Sequence, residues 1–266
     1  MREYIINPSA LTYLCYHCAY MKQNYNLFNS SISAGITQTL DGIEKNYFLG
    51  DSSKIDKILK DGETIDPYNV SFYSKILFDN KKRPFRIKGK GDAIIKFKDG
   101  TCGIVDYKTS KFKKKDKKDS FKEEDLLKKI REYDPQLHAY YLLYANLEKD
   151  QNFLGEKYKE KYPNSKKESE IKNIDTTLKR INEISVSKPK IFGLVFIYPE
   201  NSNFDNGIDI KFSHFFSEVK IDLDNFKNKV TKYLDIMHKP EPPEPSEKCC
   251  GIMHNFFYDK KKLEKI

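Results

Sequence analysis

The sequence has no apolar run longer than Ile191 to Tyr198, well short of the roughly 20 residues that a membrane-spanning helix requires, so no such span is expected. The opening Met1-Arg2-Glu3-Tyr4 lacks the charged-then-apolar build of a secretory signal, and the expected compartment is a reducing cytoplasm. Five cysteines are too few, and odd in number, for a disulfide scaffold in a chain of 266 residues. No Gly-x-x-x-x-Gly-Lys-Ser/Thr loop occurs, which argues against an ATP-driven motor, and no internal repeat is present. Against these absences stand 18 Tyr and 18 Phe, enough large apolar surface to exclude wholesale disorder, and a net charge of +9.

Helical and extended signals alternate along the chain. Asn7-Pro8 reads as an N-cap and first helical residue, and Leu11, Leu14, Cys15, Cys18 and Met21 recur at helical spacing to about Gln23. Residues 33 to 48 and 52 to 60 predict two more helical pieces, divided by Gly50-Asp51. Two strand-like runs, Arg86 to Lys98 and Thr101 to Lys108, then flank Asp99-Gly100, a strong hairpin signal. The stretch Lys111 to Lys118 is too charged to pack, and helix is expected from about Phe121, restarting at Asp134-Pro135 to carry Gln136 to Leu147. Residues 149 to 189 read as a charged helical insertion. Lys190 to Tyr198 is a strand candidate buried on both faces, 208 to 221 adds further strand, and Asp222 caps a helix to about His238. The expected fold class is α/β, a central mixed sheet flanked by helices with the N- and C-terminal segments packed together. Residues 1–248 form one domain in this reading, and 249–266 a cysteine-containing tail.

Chemistry-bearing residues crowd the hairpin. Gly89-Lys90-Gly91-Asp92 precedes it, and Asp106-Tyr107-Lys108 closes its second strand. Carboxylates suit hard cations such as magnesium, and a nearby lysine can hold or deprotonate a metal-polarised water and offset charge on a phosphate. Strand alternation places Asp106 and Lys108 on one face. A two-residue turn at Asp99-Gly100 pairs Asp92 with Tyr107 and points it away, whereas a three-residue loop with a glycine bulge brings it opposite Asp106 or Lys108. Asp-x-Lys by itself describes many salt-bridged surface strands.

Taken together, Gly89-x-x-Asp92, Gly103-Ile104-Val105-Asp106-Tyr107-Lys108-Thr109 and the helical Gln136-x-x-x-Tyr140 resemble the RecB-type branch of the PD-(D/E)xK nuclease superfamily, over about Gly89 to Tyr144. The resemblance implies a restriction-endonuclease-like core and hydrolysis of DNA phosphodiesters, by an exonuclease of repair, recombination or defence. It implies that Asp92, Asp106 and the main-chain carbonyl of Tyr107 bind Mg2+ or Mn2+, that Lys108 positions or activates the water, and that Gln136 and Tyr140 orient the lysine and the DNA. Helicase or CRISPR-type partner proteins are implied as well. The branch often carries a metal-ligating His on an early helix after a Gly. Here no His lies between His17 and His138, and near Gly35 the candidate replacements are Gln38 and Glu44.

The cysteines form a second constellation, Cys15-Tyr16-His17-Cys18 early and Cys249-Cys250 with His254 late. By resemblance, Cys15, Cys18, Cys249 and Cys250 suggest an iron-sulfur cluster tying the two ends together. Cys15, Cys18, Cys250 and His254 around zinc, or plain burial of Cys15 and Cys18 as small hydrophobes, are the alternatives. Cys102 reads as hairpin packing. Two basic clusters, Lys81, Lys82, Arg83, Arg86, Lys88 and Lys90 before the hairpin and Lys111 to Lys118 after it, would attract a phosphate backbone. The rival functional reading is a non-catalytic nucleic-acid-binding module derived from a nuclease.

Overall fold

The computed structural model describes residues 3–12, 15–25, 35–65, 71–109, 123–184, 189–203 and 209–245. Its architecture is the expected α/β arrangement, with two mixed sheets flanked by helices. In the smaller sheet β5 (Pro84–Gly89) is central. It pairs in parallel with β1 (Tyr4–Ile6) and antiparallel with β3 (Phe72–Tyr73) and β4 (Leu77–Phe78). The larger sheet has the order β2-β6-β7-β8-β9, comprising Gly62–Ile65, Ala93–Phe97, Cys102–Thr109, Ile191–Asn203 and Asp209–Glu218. Only β7 and β8 are parallel within it. No helix among the described residues is long and apolar enough to cross a membrane.

Alternation along the central strands explains why both faces are covered. Ile94, Ile104, Leu194 and Phe196 face one core, with Leu137 and Tyr141 of α3 (Glu123–Ala145) and Phe226 and Leu234 of α6 (Leu223–Met237). Their neighbours Ala93, Ile95, Val105, Tyr107, Val195 and Ile197 face the other, against Phe48 of α2 (Gly35–Phe48), Ile55 and Leu59. Both aspects of β8 are thus sealed from Phe192 to Ile197, as its unbroken apolar run predicts. The Asp222 carboxylate accepts the Asn225 N–H and caps α6 where expected.

Several elements differ from the sequence reading. The helix expected from Pro8 to Gln23 is a 3-10 turn (Pro8–Thr12) followed by α1 (Tyr16–Tyr25), and it is preceded by β1, whose pairing with β5 could not be read locally. Residues 52–60 form two short 3-10 turns, capped by Asp51 and Asp56. The run Arg86 to Lys98 breaks at residues 90–92 into β5 and β6, one in each sheet. Pro135 lies inside a continuous α3 instead of restarting it.

The two ends of the described chain meet. The Tyr4 hydroxyl donates to the Met237 carbonyl at 3.0 Å and the Tyr20 hydroxyl to that of Lys239 at 2.8 Å, and His17 Nδ1 lies 2.8 Å from the Pro243 carbonyl oxygen. The turn entering β5 is tied to α6. Arg83 forks onto Asp79 Oδ2 through Nε (2.8 Å) and Nη2 (2.6 Å), reaches the Thr231 carbonyl, and its Nη1 lies 2.9 Å from Asp235.

Candidate active site

The geometry starts at the hairpin turn. Phe97 N donates to Thr101 O at 2.9 Å and Gly100 N to Phe97 O at 3.0 Å, so Lys98, Asp99 and Gly100 form a three-residue loop. Gly100 has φ +80°, the left-handed position that such a loop requires and that a Cβ disfavours. β6 and β7 therefore pair with Ala93 opposite Val105. One step further along that register, Asp92 falls opposite Asp106, and the Tyr107 N–H donates to Asp92 Oδ2 at 3.0 Å.

Asp106 is only 1% exposed. Burial, and then the negative charge of Asp92, push its carboxyl well above the usual range, although Lys108 pulls the other way. The Lys108 ammonium forms an ion pair with Asp106 Oδ2 and stands 4.8 Å from the centre of the Tyr133 ring on α3. Asp92, Asp106 and Lys108 thus converge at one end of β7.

α3 supplies the opposite wall. Gln136 Nε2 donates to the Tyr140 hydroxyl at 3.2 Å. A Cβ added at Gly89 would stand 3.2 Å from the Tyr140 ring and 2.9 Å from Pro8, so glycine allows the close approach of β5 to this helix. The Tyr144 hydroxyl accepts the buried Gly91 N–H at 2.9 Å and fixes the backbone just before Asp92. Both phenols are pushed above their ordinary pKa, chiefly by burial and further by the Asp92 and Asp106 charges.

Helix α2 closes the third side. Glu44 Oε1 accepts from the Thr109 hydroxyl at 3.2 Å, and its carboxyl is raised by burial and by the charges of Asp41 and Asp92, in spite of that bond and Lys45. Lys45 Nζ lies 3.4 Å from Asp92 Oδ1. Lys45, Tyr133 and Tyr144 were not singled out from the sequence. Tyr144 continues the four-residue spacing of Gln136 and Tyr140, a signal that could have found it. The side chain of Gln38 lies outside the described residues.

Among the described residues, no three His, Cys, Asp or Glu side chains gather into a ready-made metal cage. Magnesium and manganese sites need none, since one or two carboxylates and waters suffice for such ions. Asp92 and Asp106 fit that pattern: two carboxylates face each other, one of them wholly buried, where a cation would relieve their repulsion.

The remaining candidates lie elsewhere. Cys15 and Cys18 are buried in the apolar core beside Ala19, Tyr20 and Met21, and Cys102 is likewise buried. Cys249, Cys250 and His254, and the cluster Lys111 to Lys118, fall outside the described residues. Within the first basic cluster, Lys81 and Arg83 pair with Asp235, Arg83 also with Asp79, and Arg86 with Glu148 and Glu3, so these three cations serve the fold's own ion pairs.

A family model of the PD-(D/E)XK nuclease superfamily matches residues 45–250. The chain belongs to this superfamily. Its mixed sheets and flanking helices accord with the restriction-endonuclease-like fold of these nucleases, which are generally metal-dependent. Among solved structures, the crystal structure of SSO0001 matches at 13% identity, covering 91% of this chain and 80% of that one, with a TM-score of 0.47, a likeness too loose to argue from. No curated protein matches the sequence.

Proposed function

We propose that this PD-(D/E)XK chain is a Mg2+- or Mn2+-dependent deoxyribonuclease of the RecB-type branch, acting as an exonuclease. The observation that carries the reading is the three-residue turn at Lys98 to Gly100, which sets Asp92 in register with Asp106 on the strand that also presents Lys108. Asp92, Asp106 and the Tyr107 main-chain carbonyl would hold the divalent ion. When bound, that ion supplies charge neutralisation at the phosphate and acidifies a coordinated water.

The chain's own groups do the rest. Lys108, held between Asp106 and the Tyr133 ring, keeps an ammonium where it can steady the attacking water and meet charge developing on the phosphate. The Gln136–Tyr140 pair lines the same face and orients Lys108 and the DNA strand. Its place on α3, facing the hairpin, supports the RecB-type assignment, and with it a setting in DNA repair, recombination or defence.

The test is incubation of single- and double-stranded DNA with Mg2+, Mn2+ or chelator, beside Asp106→Ala. Cleavage confined to the metal-supplied wild-type protein is expected, and cleavage that survives both chelator and the substitution rejects the reading. One observation favours the non-catalytic alternative: Asp92 Oδ1 already faces a lysine, as in a nuclease remnant. DNA binding without cleavage in either metal would select it.

A further inference from the structure

Lys45 is held in place. Its side chain is 19% exposed, and Nζ donates to Asp41 Oδ2, one helical turn back on α2, at 2.9 Å. From that anchor the ammonium faces Asp92 Oδ1 at 3.4 Å, while Asp92 Oδ2 is already engaged by the Tyr107 N–H at 3.0 Å. One of the two carboxylates assigned to the metal therefore has both oxygens occupied by partners belonging to the chain.

The charges decide what this does. Asp41, Asp92, Asp106 and Glu44 bring four formal negatives to this region, and Lys45 and Lys108 return two positives. One divalent ion balances the two negative charges left over, so a second would meet no uncompensated carboxylate. Without the Lys45 charge three negatives remain, one more than a single divalent ion neutralises, and Asp92 Oδ1 is free to ligate. At separations of a few ångströms in a partly buried site, removing one like charge from beside a dication changes affinity by an order of magnitude or more.

From this geometry we infer that Lys45 is a tethered cation on Asp92 that limits the site to one divalent ion and loosens the hold on it. The inference rests on the metal-dependent reading above, and it makes Lys45 a positioning residue for Asp92. It also gives Lys45 a sign that a merely structural lysine lacks: its loss should tighten metal binding, whereas damage to the fold should weaken it.

The experiment is calorimetric Mn2+ titration of the full chain, with free Mn2+ counted by electron paramagnetic resonance. Wild type, Lys45→Met, Lys45→Gln, Lys45→Arg and Asp106→Asn are compared. One ion per wild-type chain is expected, with the dissociation constant lowered about tenfold in both neutral variants and retained in Lys45→Arg. Two ions on the wild-type chain, or neutral variants that bind no tighter, would overturn the role of Lys45. Two neutral variants keep a folding defect peculiar to one of them from deciding the outcome. Mn2+ binding that Asp106→Asn leaves undiminished would instead refute the carboxylate site itself, and the Lys45 inference with it.

Discussion

Asp106 shows what the site demands of a single residue. Its carboxylate is 1% exposed, and burial together with Asp92 raises its pKa, so its ionisation destabilises the folded chain as pH rises toward neutrality. Asp106→Asn should therefore unfold at a higher temperature than wild type in chelator near neutral pH, yet lose both cleavage and the rise in Tm that Mn2+ gives the wild type. Calorimetric scans with and without the metal check both outcomes. Lys108→Ala should lower the cleavage rate by about a hundred- to ten-thousand-fold without weakening Mn2+ binding, measured under single-turnover conditions. Tyr144→Phe strips the buried Gly91 N–H of its acceptor and should cost about 1–3 kcal/mol in urea unfolding. Asp106 and Lys108 are legible in the sequence because two residues on one strand share a face whatever the rest of the chain does. Lys45 is not, because its meeting with Asp92 depends on how α2 docks, and no spacing records that.

Among the elements, the β6–β7 turn carries the most consequence. A two-residue turn at Asp99-Gly100, with Lys98 paired to Thr101, would set Asp92 opposite Tyr107 and turn its carboxylate to the other face of the sheet. Gly100→Ala, which puts a Cβ on a residue at φ +80°, should destabilise the chain by about 1 kcal/mol, seen as a lowered urea midpoint at unchanged m-value. The hairpin, the apolar β8 and the Asp222-capped α6 are readable because their signals lie inside the elements. β1, β3 and β4 are not: each spans two or three residues and is a strand only because β5 offers it an edge. Three members of the basic run before the hairpin are engaged in a way composition cannot show: Asp235 and Glu148 arrive from elsewhere to meet Lys81, Arg83 and Arg86.

Across the whole molecule, those same ion pairs set the acid limit of stability. Burial raises the carboxyl of Asp79, but Arg83 and the N–H groups of Arg83 and Lys81 outweigh it; Arg86 and the N–H groups of Asp150 and Lys149 do the same for Glu148. Both folded pKa values thus lie below the unfolded ones, about 3.9 for Asp and 4.3 for Glu. Their stabilisation is in full force above those values and is lost as pH falls through the depressed ones. Urea midpoints should drop below about pH 4, and more shallowly in Asp79→Asn, which has no such proton to take up. The topology has a bearing on biosynthesis too. β7, bearing Asp106 and Lys108, is parallel to β8, and all of α3 and the helices Gln151–Lys161 and Lys167–Ile184 intervene. On a ribosome the β6–β7 hairpin emerges about eighty residues ahead of the strand that shields its outer edge, and until Ile191–Ile197 follows, β7 exposes an unpaired ladder on which nascent chains can stack.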